Sequence, residues 1–212
     1  MLKKYDGIIF DLDGTMWDTR KPICEAWNII LSNHPEIHRT PITENDLNDC
    51  MGLPMYDIAA RLFPDEQEIT RNTLMDELCT FENGYLAEKG GILYPQLADT
   101  LYELSRKYPL FIVSNCQDGY IESFLTAHLM SDFFKDTECW GRTFLPKGES
   151  NKILIERNDL KNPVYVGDTA GDAKSAEDAE IDFIYAAYGF GKVAEDRYVA
   201  RINTFSELQE IL

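Results

Sequence analysis

"GIIFDLDGTMWDT", residues 7–19, carries an apolar run into two aspartates, Asp11 and Asp13, and then at once into Gly14. The run over 8–12 is continuous rather than alternating, which suits a strand covered on both faces, as in a parallel sheet flanked by helices. Similar runs recur at 110–113, 164–166, 183–187 and, more weakly, 198–202. Between them Leu97, Leu101, Leu104 and Tyr108 repeat at helical spacing, on a segment that Pro95 opens and Pro109 closes. Strand and helix alternate from residue 92 to the end, so the fold expected is α/β, a doubly wound and mainly parallel sheet.

Residues 17–91 break that rhythm. Thr43 with Asp46 spells a capping box, Pro54 opens a second helix, and Leu74, Leu78, Phe81 and Tyr85 share one face of a third. No strand signal interrupts them. The expected organisation is a core of residues 1–16 and 92–212, with 17–91 inserted as a helical cap over the end of the first strand.

Composition removes several functional classes. The chain has 212 residues, 44% of them hydrophobic, enough for one domain with an appendage. With 20 Lys+Arg against 37 Asp+Glu the net charge is −17, a field that repels nucleic acid and anionic membranes. Five cysteines without a C-x-x-C pair read as reduced packing residues. No leader is read in MLKKYDG and no apolar stretch is long enough to span a bilayer, so a cytoplasmic location is expected.

Ligands of open α/β sheets sit beyond the carboxyl ends of the strands. The first strand ends in Asp11-Leu12-Asp13-Gly14-Thr15, the second in Ser114-Asn115, and a later one in Gly167-Asp168-Thr169-Ala170-Gly171-Asp172. Converging carboxylates about 4 Å apart repel by about 4 kcal/mol at an effective dielectric of 20, so the cluster requires a cation. Hard oxygen donors with no histidine among them point to magnesium. Asp11 and Asp13, two apart, lean to one side of an extended chain and leave Leu12 to pack on the other.

The ordered set D-L-D-G-T, S-N, a later lysine and G-D-T-A-G-D resembles the four motifs of the haloacid dehalogenase-like superfamily, in its phosphatase branch. The likeness spans the whole chain and is strongest to phosphoglycolate phosphatase and β-phosphoglucomutase-like members, whose caps carry segments like Met51-Gly52-Leu53-Pro54 and Leu62-Phe63-Pro64. It implies Asp11 as nucleophile, forming an aspartyl-phosphate, and Asp13 as acid and then base. Magnesium would lie on Asp11, Asp168 and the backbone carbonyl of Asp13, with Asp172 standing behind them. Ser114, Asn115 and Thr15 would contact substrate, and Lys147, preferred over Lys152 because it follows Pro146 at a helix start, would face both Asp11 and the transferred group.

Other readings are weaker. Met16 occupies the glycine position of an EF-hand loop, and Gly189-Phe190-Gly191-Lys192-Val193-Ala194 is followed by too little chain for a dinucleotide-binding unit, so it is expected as a loop at the rim of the site. A dehalogenase has no use for Asp13. The mutase pattern D-T-x-x-x-H-x-x-A-W is matched by Asp18-Thr19 and Ala26-Trp27 but has Ile23 at its histidine. The resemblance thus implies a magnesium-dependent phosphatase for a small phosphomonoester such as phosphoglycolate, a sugar phosphate or a nucleotide. A mutase or a pyrophosphatase is the alternative, and a non-catalytic phosphate-binding module is the reading from another class.

Overall fold

The computed structural model describes residues 5–212; residues 1–4 of the expected core segment lie outside the described residues. The chain runs β1 (Ile8–Phe10), β2 (Trp17–Asp18), then the helices α1 (Arg20–Leu31), α2 (Glu44–Asn48), α3 (Met55–Leu62) and α4 (Glu68–Lys89), and returns through β3 (Ile92–Leu93). From there α5 (Leu97–Ser105), β4 (Leu110–Ser114), α6 (Tyr120–His128), β5 (Phe134–Cys139), α7 (Trp140–Thr143), α8 (Lys147–Arg157), β6 (Val164–Gly167), α9 (Ala170–Asp178), β7 (Asp182–Ala186), β8 (Ala200–Ile202) and α10 (Leu208–Ile211) complete the fold. Six strands form one sheet in the order β5-β4-β1-β6-β7-β8, and every neighbouring pair is parallel.

The α/β class and parallel sheet expected from the apolar runs are both present. Ile8 and Phe10, Leu110 and Ile112, Val164 and Val166 enter one hydrophobic core, whereas Ile9, Phe111, Val113 and Tyr165 enter another. That division by alternate residues places one core on each face of the sheet. It explains why these strands contain no polar position until they end. Each fully buried Ile or Phe there contributes roughly 1.5–3 kcal/mol.

β5 carries no such signal. Its sequence, Phe-Lys-Asp-Thr-Glu-Cys, lies at the sheet edge, where Lys135 is exposed and Arg157 from α8 pairs with Asp136 and Glu138. An edge strand decorated with charge resists pairing with another chain. β1 is shorter than the run that announces it: its ladder extends one bond past Phe10, from the Asp11 N–H to the Val166 carbonyl at 2.8 Å, and then the chain turns.

Between β2 and β3 every assigned helix or strand is a helix. Thr43 and Asp46 form the expected capping box at α2, and Pro54 stands at the N-cap of α3. On α4, Leu74 and Leu78 are buried while Phe81 and Tyr85 are partly buried against the same core. α4 packs on α1, α3 and α6. The segment leaves and rejoins the sheet through β2 and β3, which pair antiparallel. No helix among the described residues is long and apolar enough to cross a membrane.

Candidate active site

Phe10 at the end of β1 stands beside Ile112 of β4 and Val166 of β6. With neighbouring strands about 4.8 Å apart, the residues that follow on all three emerge along one stretch of sheet edge. Here too the strand order reverses about β1, which opens a crevice at the carboxyl ends. Asp11, Ser114 and Asp168 therefore meet.

The turn after β1 is set by its own backbone. Leu12 carbonyl accepts from Met16 N–H at 2.8 Å, and Gly14 N–H donates to Trp17 carbonyl at 2.9 Å. Gly14 has φ +83°, and a Cβ at that position would collide with the Asp168 carboxylate. Glycine is needed here both for its dihedral and for the closeness of the two segments.

Asp168 lies just past β6 and is fully buried. Its Oδ2 accepts the Phe190 N–H at 2.7 Å and the Gly191 N–H at 3.3 Å, and its Oδ1 accepts the Thr15 hydroxyl at 3.3 Å. The glycine-containing loop after β7 thus serves to hold Asp168. Thr15, expected on substrate, has its hydroxyl on Asp168 instead.

Asp172 occupies the third position of α9. Its Oδ2 accepts Thr169 N–H at 2.9 Å and Thr169 hydroxyl at 2.7 Å in a capping box, and its Oδ1 accepts Lys147 Nζ at 2.7 Å. Burial alone would raise its pKa, but Lys147 and Thr169 hold it below the usual carboxylate value.

Lys147, the first residue of α8 after Pro146, sends the same Nζ to Asp11 Oδ1 at 2.7 Å and is itself only 6% exposed. Burial works against its charge, yet Asp11 and Asp172 keep it protonated. Lys152 is on the surface, paired with Glu149.

Carboxylate oxygens of Asp11, Asp168 and Asp172 lie within 4.8 Å of one another. Three acids with one ammonium leave two negative charges uncompensated when all ionise. Burial and the charge on Asp172 accordingly push Asp11 well above the ordinary carboxylate value and Asp168 up to about 7. The deficit and the all-oxygen donor set fit a hard divalent cation.

Asp13 is in a different environment. Thr19 hydroxyl donates to its Oδ1 at 2.6 Å and Tyr120 hydroxyl to the same oxygen at 2.8 Å. Burial raises its pKa to about 6 while these two bonds resist the rise. A carboxyl poised there exchanges a proton near neutral pH. Tyr120 reaches Asp13 from across the fold and has no local signature, whereas Thr19 lies only six residues beyond Asp13, in the Asp18-Thr19 pair.

Asp11, Asp13 and Ser114 face a cleft whose far wall comes from the helical segment: Ile23, Trp27, Leu47, Met55, Ile58 and Glu82. Asn115, also on this cleft, donates through Nδ2 to the Gly52 carbonyl at 2.8 Å, linking the sheet to that wall. Glu82, 1% exposed, accepts from Trp27 Nε1 on Oε2 and from Gln117 Nε2 on Oε1. Burial, opposed by those two bonds, lifts its pKa to about 8.

The family model for haloacid dehalogenase-like hydrolases matches residues 8–186. The chain belongs to that family. Among curated relatives of this hydrolase is a phosphoglycolate phosphatase of Agrobacterium fabrum (strain C58), 26% identical over 193 residues that cover 87% of this chain and 82% of the relative. A phosphoglycolate phosphatase of Rhodobacter capsulatus is 25% identical over 217 residues, covering 97% and 96%. A crystal structure titled as a predicted phosphoglycolate phosphatase from Haemophilus somnus 129PT shares the fold of the hydrolase at a TM-score of 0.85 and 21% identity, covering 100% of this chain and 99% of that one. Within its family the hydrolase is an enzyme of the phosphatase type.

Proposed function

We propose that the enzyme is a magnesium-dependent phosphatase for a small phosphomonoester, working through an aspartyl-phosphate, with residues 17–91 as a cap over a core of 1–16 and 92–212. Asp13 carries this reading: a carboxyl with a pKa of about 6, two residues from a buried aspartate that Lys147 orients, is placed to move the protons that ester hydrolysis requires.

Asp11 attacks phosphorus, the bond to the ester oxygen breaks, and the departing alkoxide takes the proton of Asp13. Ionised Asp13 next takes a proton from water, which attacks phosphorus, breaks the acyl-phosphate bond, and releases inorganic phosphate and free Asp11. Lys147 and Ser114 stabilise the charge that develops on the phosphoryl oxygens. Asp11, Asp168 and the Asp13 carbonyl would hold magnesium, which would supply positive charge that screens the phosphoryl oxygens and lets the anionic nucleophile approach. Asp172 keeps Lys147 in place. Ile23, where a mutase-like chain has histidine, puts an apolar side chain on the cleft in place of that proton-transfer group, which favours transfer to water over transfer to a second sugar.

Phosphate release from an aryl phosphate, followed with magnesium and with chelator, tests this. Turnover that depends on the metal is expected; none at any pH from about 5 to 9 would overturn the reading.

A further inference from the structure

The cleft has one end for the phosphoryl group, at Asp11 and Ser114, and another beyond Asp13, where the alcohol part of a substrate must lie. That second end contains no lysine or arginine among the described residues that line it. Lys147 is engaged by Asp11 and Asp172, and Arg20 by Asp18 and Asn48. Beyond Asp11, Asp13 and Ser114 the polar side chains on the cleft are Asn115, which donates to the Gly52 carbonyl, Glu82, Gln117 and Tyr120, and Tyr120 already donates to Asp13.

Gln117 holds an unspent acceptor. Asn83 Nδ2 donates to the Asp118 carbonyl at 2.8 Å, which turns Asn83 Oδ1 toward Gln117, and Gln117 Nε2 donates to that oxygen at 3.0 Å and to Glu82 Oε1 at 3.2 Å. Asn83 Oδ1 can only accept, so it holds Nε2 of Gln117 on its side and sets the orientation of the amide. Gln117 Oε1 is then left buried with no partner in a side chain only 8% exposed. A buried carbonyl oxygen without a donor is unfavourable, and a ligand that supplies the donor relieves that cost.

Resting on the phosphatase reading above, we propose that Gln117 and Glu82 set substrate specificity, selecting phosphomonoesters whose alcohol carries a further hydroxyl and rejecting those whose alcohol carries a carboxylate. A hydroxyl donates to Gln117 Oε1 and accepts from the Glu82 carboxyl, which keeps its proton to about pH 8. A carboxylate only accepts, leaves Gln117 Oε1 unpaired, and brings a charge beside Asp13 with no cation to meet it. Sites built to hydrogen-bond a substrate hydroxyl discriminate strongly against analogues that lack it.

Three esters with two-carbon alcohols test this on the full chain with magnesium: 2-hydroxyethyl phosphate, ethyl phosphate and phosphoglycolate. The expected order of kcat/KM is the hydroxyethyl ester first, by about tenfold or more over each of the others. Gln117→Leu should pull the hydroxyethyl-to-ethyl ratio toward one, and a ratio is independent of the fraction of enzyme that folds. Phosphoglycolate equal to or better than the hydroxyethyl ester, or a ratio unchanged in Gln117→Leu, overturns the assignment. An aryl phosphate run alongside separates the two levels: if it is turned over while the hydroxyethyl ester shows no advantage, the specificity assignment alone falls; if it is not, the phosphatase reading falls and the assignment with it.

Discussion

Tyr120, at the start of α6, donates its hydroxyl to Asp13 Oδ1 at 2.8 Å across 107 intervening steps of sequence. The bond stabilises the ionised carboxylate, so it lowers the pKa that burial has raised to about 6. Tyr120→Phe removes it and the Asp13 pKa rises. The limb of the pH–rate profile that belongs to Asp13 should move to higher pH by about half a unit to one unit, read from kcat between pH 5 and 9. An unmoved profile in a folded variant would separate Asp13 from the proton transfer.

Asp11→Asn should abolish turnover, a loss of about a thousandfold or more, while far-UV circular dichroism and cooperative melting persist. The amide is isosteric, and Lys147 keeps Asp172 as its counter-ion. A folded Asp11→Asn enzyme that still releases phosphate would refute the nucleophile.

Lys147 neutralises two buried acids, so Lys147→Met leaves Asp11 and Asp172 without their cation. A loss of about 3–5 kcal/mol in denaturant unfolding is expected. Adding Asp172→Asn to that variant removes one of the stranded charges and should restore part of the stability. Strict additivity of the two substitutions would show that the residues do not act as a pair.

Glu82 tests burial by pH. Its carboxyl ionises near 4.5 when unfolded and near 8 when folded, so between those values the folded state binds the extra proton and stability falls as pH rises. Below the unfolded pKa the two states are equally protonated and the effect is absent. Glu82→Gln does not ionise, so its stability relative to the parent should improve from pH 5 to pH 8.5 in thermal or urea melts. A difference that stays constant with pH would place the Glu82 titration elsewhere.

The fold was legible where tertiary structure repeats a local pattern. Ile8–Phe10, Leu110–Ser114 and Val164–Gly167 are buried on both faces, and that condition is written directly as uninterrupted apolar sequence. Phe134–Cys139 is half exposed at an edge and reads as loop, because its polar residues are matched by Arg157 rather than by its neighbours in sequence. At the site, Asp11 and Asp168 were legible because each follows a strand, and Asp172 because it stands four residues on, in the first turn of the next helix; the meeting of the first two follows from the register. Tyr120, Glu82 and Gln117 were not. Tyr120 meets Asp13, and Glu82 meets Trp27 and Gln117, only in the packed fold, relations with no signature at any fixed spacing.

The ribbon formed by Trp17–Asp18 and Ile92–Leu93 sets the two ends of the helical insertion side by side. A segment joined at adjacent points is modular: lineages can lengthen it, or graft one from a cousin, without disturbing the register of the six strands. The hydrogen bond between Glu82 and Gln117 bridges that seam, so a transplant inherits its selectivity only when the connection from β4 to α6 travels with it.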